Sequence, residues 1–259
     1  MKKEELAISF TKSLLGAVPY IGSGLNEVIF EYRSRVKQER INRFVNELSN
    51  FFESINPQDI DLENIKKDEF GDIFESILKR VSLNKSNEKL KRFKKILINE
   101  ILNPSKNDFA ENYLDLIEKI NEIQIKILFC HRKLITGDYQ YYIEKQDTLI
   151  RKNKKLKVEL SENKGFKNKG YASNVTKLER LINNTIKDLE KVENIINNFN
   201  KYKTSEFYNI SHGDYIYYVQ DLVAKSLLID LGVGGIGTKP YEQLSLTEFG
   251  NRFLAYIEK

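Results

Sequence analysis

The sequence predicts a mainly all-α protein: a multi-helix bundle with a winged-helix-like unit that carries a small β-wing, and with an inserted antiparallel coiled-coil hairpin. Apolar residues recur at spacings of three and four along most of the 259 residues, which is the helical period. Between Tyr142 and Phe199 that spacing becomes strict on two successive segments, the pattern of a coiled-coil seam. Near the C-terminus a glycine-rich turn leads into a short alternating stretch and then a capped helix. Composition agrees, since 41% hydrophobic and 31% charged residues with only 4 prolines fit a folded helical chain and not a disordered one.

The first segment reads as two helices. Leu6, Phe10, Leu14 and Val18 repeat every four residues, and Pro19 to Gly24 turns the chain. The second helix carries Leu25, Val28, Ile29, Tyr32 and Val36, then Ile41, Phe44, Leu48, Phe51 and Phe52, so its stripe rotates between Val36 and Ile41. That rotation leaves Arg33, Lys37, Arg40 and Arg43 as a basic helix face, read first as a solvated surface. The joint "LLGAVPYIGSG" is expected to be a buried helical corner, with a membrane-inserting amphipathic hairpin as the alternative.

From Asn56 to Asn84 a loop precedes a helix that turns Phe70, Ile73, Phe74, Ile77 and Leu78 inward. Asp59, Asp61 and Glu63 lack the glycine and terminal glutamate of a calcium loop, so Asp59 or Asp61 is read as a helix cap. Ser86 to Leu102 forms the next helix, burying Leu90, Phe93, Leu97 and Ile101 and ending at Asn103-Pro104. Asp108 to Ile135 is expected to be one long helix with Tyr113, Leu116, Ile117, Ile120, Ile127 and Leu128 in the core.

The heptad seam follows. Val175, Leu178, Ile182, Thr185, Leu189, Val192, Ile196 and Phe199 alternate steps of three and four, and Tyr142, Gln146, Leu149, Asn153, Leu156 and Leu160 match them upstream. The intervening "SENKGFKNKGYAS" is too polar and glycine-rich to be helical, which predicts arms of about twenty residues, roughly 30 Å long. Lys152, Lys154, Lys155 and Lys157 approach the tip, and Lys164, Lys167 and Lys169 occupy it with Phe166 and Tyr171 interleaved. Cations with aromatics between them can hold phosphates and stack bases, so these nine residues are the candidate partner or nucleic-acid contacts. The organisation is 1–106 as an N-terminal helical region, 107–137 with 204–259 as the winged-helix-like unit, and 138–203 as the hairpin.

Gly232, Gly234 and Gly237 spell G-x-G-x-x-G, but a dinucleotide fingerprint needs a strand before the glycines and a helix immediately after them. Here "DYIYYVQDLVAKSLLID" is helical, and "YEQLSLT" delays the next helix to Glu248. The glycines are therefore read as the turn of a wing, with Thr247 capping a helix that buries Phe249, Phe253, Leu254 and Ile257.

The apolar pattern of "EKLKRFKKILINEILNP" and "FAENYLDLIEKINEIQIKIL", with "VQDLVAKSLLID", a glycine turn and "LSLTEFGNRFLAYI", resembles the abortive-infection alpha type of bacterial helical protein. The likeness covers Lys85 to Ile135 and Asp214 to Ile257 and leaves the coiled coil as an addition. It implies a winged-helix-like C-terminal part and a role in defence against phage, arrest of the infected cell being one route. It implies no catalytic residues.

Direct inspection for catalysis adds none. Cys130 and His131 are helix neighbours and point about 100° apart, so they read as a core cysteine beside a half-exposed histidine. His212 belongs to the turn before the next helix, and metal ligands in the right spacing are missing. Asp68, Asp72 and Glu75 lie on a helix, not on a nuclease strand platform. No cofactor is expected. A net charge of +5 speaks to non-specific association and follows a Lys-, Asn- and Ile-rich composition. The single cysteine, the absence of a recognisable leader and an uncharged stretch, Ser13 to Asn26, shorter than the roughly 18 residues of a membrane span predict a cytoplasmic protein. The expected partner is a phage protein, a companion defence subunit or nucleic acid.

Overall fold

A computed structural model describes residues 28–54, 68–102, 109–164, 169–233, 237 and 240–258; the side chains of 28–34, 52–54, 68, 164 and 169–172 fall outside the description. Ten α-helices and a two-stranded antiparallel sheet make up the described chain, which is mainly helical as its apolar period requires. It divides into two compact units, residues 1–121 with 252–259, and residues 122–251.

In the first unit, α1 (Val28–Ser54), α2 (Asp68–Leu83), α3 (Asn87–Leu102) and α4 (Phe109–Lys119) pack around a continuous core. The periodic positions do the packing: Ile41, Phe44 and Leu48 of α1, Ile77 and Leu78 of α2, and Phe93 and Leu97 of α3 are all buried. Arg80 links α2 to α4. Its guanidinium meets Asp115 at 2.5 Å, Glu111 at 3.3 Å and Glu118 at 3.4 Å, carboxylates spaced so that they share one helix face. The Arg80 hydrogen bond holds the Asp115 carboxyl below the usual range. Residues 252–258 complete this core: Tyr113 packs 5.5 Å from the Phe253 ring and 5.0 Å from that of Tyr256, whose hydroxyl bonds Glu100.

The single helix expected from Asp108 to Ile135 is two helices, α4 and α5 (Glu122–Ile135), with a break at Ile120 and Asn121. Asn121 followed by Gln124 three residues later is the composition of a helix start. Seven residues of α5 are buried, over a face wider than half the circumference of the helix.

In the second unit, α6 (Gly137–Lys164) and α7 (Lys169–Asn200) form the antiparallel hairpin. Leu178, Ile182, Thr185, Val192 and Ile196 are buried and the facing α6 seam residues half-buried, as their heptad spacing dictates. Tyr139 Oη bonds Asn200 Oδ1 at 3.1 Å and fixes the register at the base. The expected non-helical stretch is shorter than "SENKGFKNKGYAS": residues 161–164 and 169–173 are helical. A zipped seam propagates helix at low cost per residue, enough to carry Gly170 at about 1 kcal/mol. The arms, 28 and 32 residues, therefore measure about 42 and 48 Å, longer than the expected 30 Å.

A 3₁₀ turn (Lys201–Lys203) and α8 (Ser205–Tyr208) lead to α9 (His212–Ala224), whose N-terminus Ser211 caps by accepting from Asp214 N at 3.0 Å. Strand β1 (Leu228–Asp230) pairs antiparallel with β2 (Leu244–Leu246), Ile229 opposite Ser245, and β2 lies on α5. The chain then enters α10 (Glu248–Glu258). Thr247 caps it as expected, Oγ1 accepting from Gly250 N at 2.8 Å.

Candidate functional site

The hairpin brings its predicted cations together on the solvent side of α6. Lys152, Lys154, Lys155 and Lys157 are exposed, and among the described residues none has an ion-pair partner. Arg151, missed in the sequence reading, joins them but is engaged by Asp147 at 2.6 Å. At about 100° per residue, Arg151 points directly away from the seam, with Lys155 and Lys152 on one flank and Lys154 and Lys157 on the other. The outward circumference of the helix is cationic over about two turns. From residue 148 to 184 the sequence holds ten Lys or Arg and three Glu, a net +7, which leaves −2 for the rest of a chain whose total is +5. Of the remaining tip residues, Phe166 and Lys167 lie outside the described residues, as do the side chains of Lys164, Lys169 and Tyr171.

A second predicted feature does not hold as a solvated strip. The Arg33 side chain lies outside the description, Lys37 is half-buried and Arg43 is exposed. Arg40 turns inward and donates from Nη1 to Ser82 O at 2.9 Å. That carbonyl belongs to the last turn of α2, where orphan acceptors and the helix dipole favour a cation. Arg40 is thus a structural cap. The proposed membrane hairpin, residues 14–25, lies outside the described residues, and no described helix is long and apolar enough to cross a membrane.

The glycine motif follows a helix and a strand, and Gly234, Gly235, Ile236, Thr238 and Lys239 lie outside the description. What organises the loop is Asp230, a residue the sequence reading passed over. Its buried carboxylate accepts from Gly232 N at 2.9 Å and from Tyr241 N at 2.7 Å, and Leu231 N bonds Gln243 O at 2.9 Å. Strand parity was the available signal: Leu228, Asp230 and Gly232 face inward while Ile229, Leu231 and Val233 are exposed.

Cys130 is buried as expected, but His131 is not half-exposed; it is 1% exposed. The buried face of α5 spans more than half its circumference, wide enough to take in both of these adjacent positions. Burial pushes the His131 pKa down to about 4, and the Lys203 ammonium adds to this. The backbone of Leu244 opposes the shift but falls short of hydrogen-bond geometry, so both ring nitrogens stand without a partner among the described residues. Burial also raises the Cys130 thiol and the Tyr208 hydroxyl, and pushes Tyr215 up to about 12. A thiol kept protonated is a weak nucleophile, and an imidazole closed to water is a poor proton shuttle. Among the described residues no group of three or more His, Cys, Asp or Glu is placed to hold a metal ion.

No protein-family model, no curated protein and no solved structure matches this chain.

Proposed function

We propose that this chain is a non-enzymatic, cytoplasmic protein of bacterial phage defence, of the abortive-infection type, which acts by binding through its coiled-coil hairpin. One observation carries the binding assignment: +7 of charge is concentrated in the distal half of a two-helix arm while the rest of the chain carries −2. A field of one sign on an exposed arm steers a partner of the opposite sign toward it. The order α9, β1, β2, α10, with Thr247 as cap, supports reading the C-terminal part as winged-helix-like, the feature by which the sequence resembles that type.

The test is phage challenge of bacteria carrying the full-length protein or the K152E/K154E/K155E/K157E variant. Wild type should reduce plaque formation and the variant should not, with equal soluble levels and equal helical content by circular dichroism. A variant that protects as well as wild type removes the hairpin from the mechanism. Absence of protection by wild type across a broad phage panel removes the defence role.

A further inference from the structure

We infer that the distal hairpin binds nucleic acid through its phosphate backbone, independently of sequence, with Lys152, Lys154, Lys155 and Lys157 as the contacts; this rests on the hairpin being the contact arm. The first reason is residue type. Cores of protein–protein interfaces are depleted in lysine and enriched in aromatics, Met and Arg. Here the four free cations are all lysines, the one arginine is already held by Asp147, and no aromatic occurs between Ile143 and Asn163. Lysine serves as a point charge for phosphate and makes no planar fork for a carboxylate.

The second reason is arrangement. A docking patch for an acidic protein would gather charge on one side, whereas these cations surround the outward half of α6. Lys152 and Lys157 are about 8 Å apart along the axis, and a duplex presents a phosphate about every 1.7 Å of its axis, so several fall within reach. Two packed helices are about 20 Å across, wider than a major groove of about 12 Å, so the hairpin lies against the backbone without reading base edges.

The full-length protein would be titrated against a labelled mixed-sequence DNA duplex about three turns long, the RNA duplex of the same sequence, and poly-L-glutamate, from about 50 to 200 mM salt. Wild type should bind both duplexes with a log–log salt slope of about −4 or steeper, losing affinity about 250-fold or more over that range. The K152A/K154A/K155A/K157A variant, whose seam is intact, should bind more weakly and lose about three to four units of slope. An unchanged slope in the variant, no duplex binding by wild type, or equal binding of poly-L-glutamate, which would indicate an acidic protein partner, overturns the assignment. If duplex binding fails while charge reversal still abolishes phage protection, the nucleic-acid assignment falls and the contact-arm reading stands.

Discussion

Gly250 lies so close to the backbone of Leu227 that a Cβ there would collide with the Leu227 carbonyl oxygen and stand 2.9 Å from Leu246 Cδ1. Helix propensity alone makes Gly250→Ala stabilising by about 1 kcal/mol. The carbonyl is backbone and cannot swing aside, so the expected result is a net loss of about 1–3 kcal/mol from overpacking. Urea unfolding checks it: the midpoint should fall, and a rise would show that α10 can move away from the sheet without cost.

Thr247 holds the same junction by hydrogen bonding. Its hydroxyl accepts from Gly250 N at 2.8 Å and donates to Ser226 O at 2.6 Å, while its own N–H donates to Leu227 O at 3.1 Å. Thr247→Ala should cost about 1–2 kcal/mol and Thr247→Ser should recover most of it, measured as unfolding free energies. Equal losses in both variants would assign the effect to the missing methyl group instead of the cap.

Asp230 organises the loop that the glycines only permit. Asp230→Ala leaves the Gly232 and Tyr241 N–H groups without their acceptor and should cost about 1–3 kcal/mol. Amide hydrogen exchange localises it: protection at Gly232 and Tyr241 should fall while that at Ile229 and at Thr247, whose N–H donates to Leu227 O, is kept. Unchanged exchange at Gly232 would mean that the carboxylate does not anchor the turn.

What the sequence discloses follows from the range of each interaction. Period-based features, such as the seam from Val175 to Phe199 or the stripe Leu90, Phe93, Leu97 and Ile101, depend on local spacing and read directly. The helix break at Asn121 and the true tip of the hairpin depend on how far packing propagates a helix, which spacing alone does not set. Arg40 is assigned by a partner 42 residues away, so nothing adjacent announces its role, whereas Asp230, bonded to Gly232 and to Tyr241 11 residues on, was hinted at only by strand parity. The candidate lysines were legible as composition, but that they ring the outward face of α6 depends on the seam direction.

The hairpin seam contains a polar layer with a testable cost. Counting inward from the Tyr139–Asn200 bond brings Asn153 to the level of Ile186, next to Thr185. Thr185 Oγ1 bonds Leu181 O at 2.8 Å, and Asn153 Oδ1 is buried without a hydrogen-bond partner among the described residues. Asn153→Leu should therefore stabilise the hairpin by about 1 kcal/mol or more. Because a polar seam residue also restricts partner number, the same variant should shift toward higher oligomers in sedimentation. A destabilised variant would show that Asn153 is satisfied by water or a partner.

His131 makes stability depend on pH in a direction set by its burial. Its pKa is about 4 folded against about 6.5 unfolded, so between those values the unfolded chain binds more protons. The contribution is fully present above about pH 6.5 and is lost as pH falls toward 4, amounting to about 3 kcal/mol at about 1.4 kcal/mol per unit. Asp115, held low by Arg80, also costs stability in acid, but only from the usual carboxylate range downward and equally in any His131 variant. His131→Leu removes the titrating ring and two unpartnered nitrogens. Its unfolding free energy should match or exceed wild type at about pH 7 and pull further ahead as the pH drops to about 4.5. Curves that stay parallel through that window would mean the ring gains a proton without unfolding the core, through a solvent path at Leu244 or by displacement of Lys203.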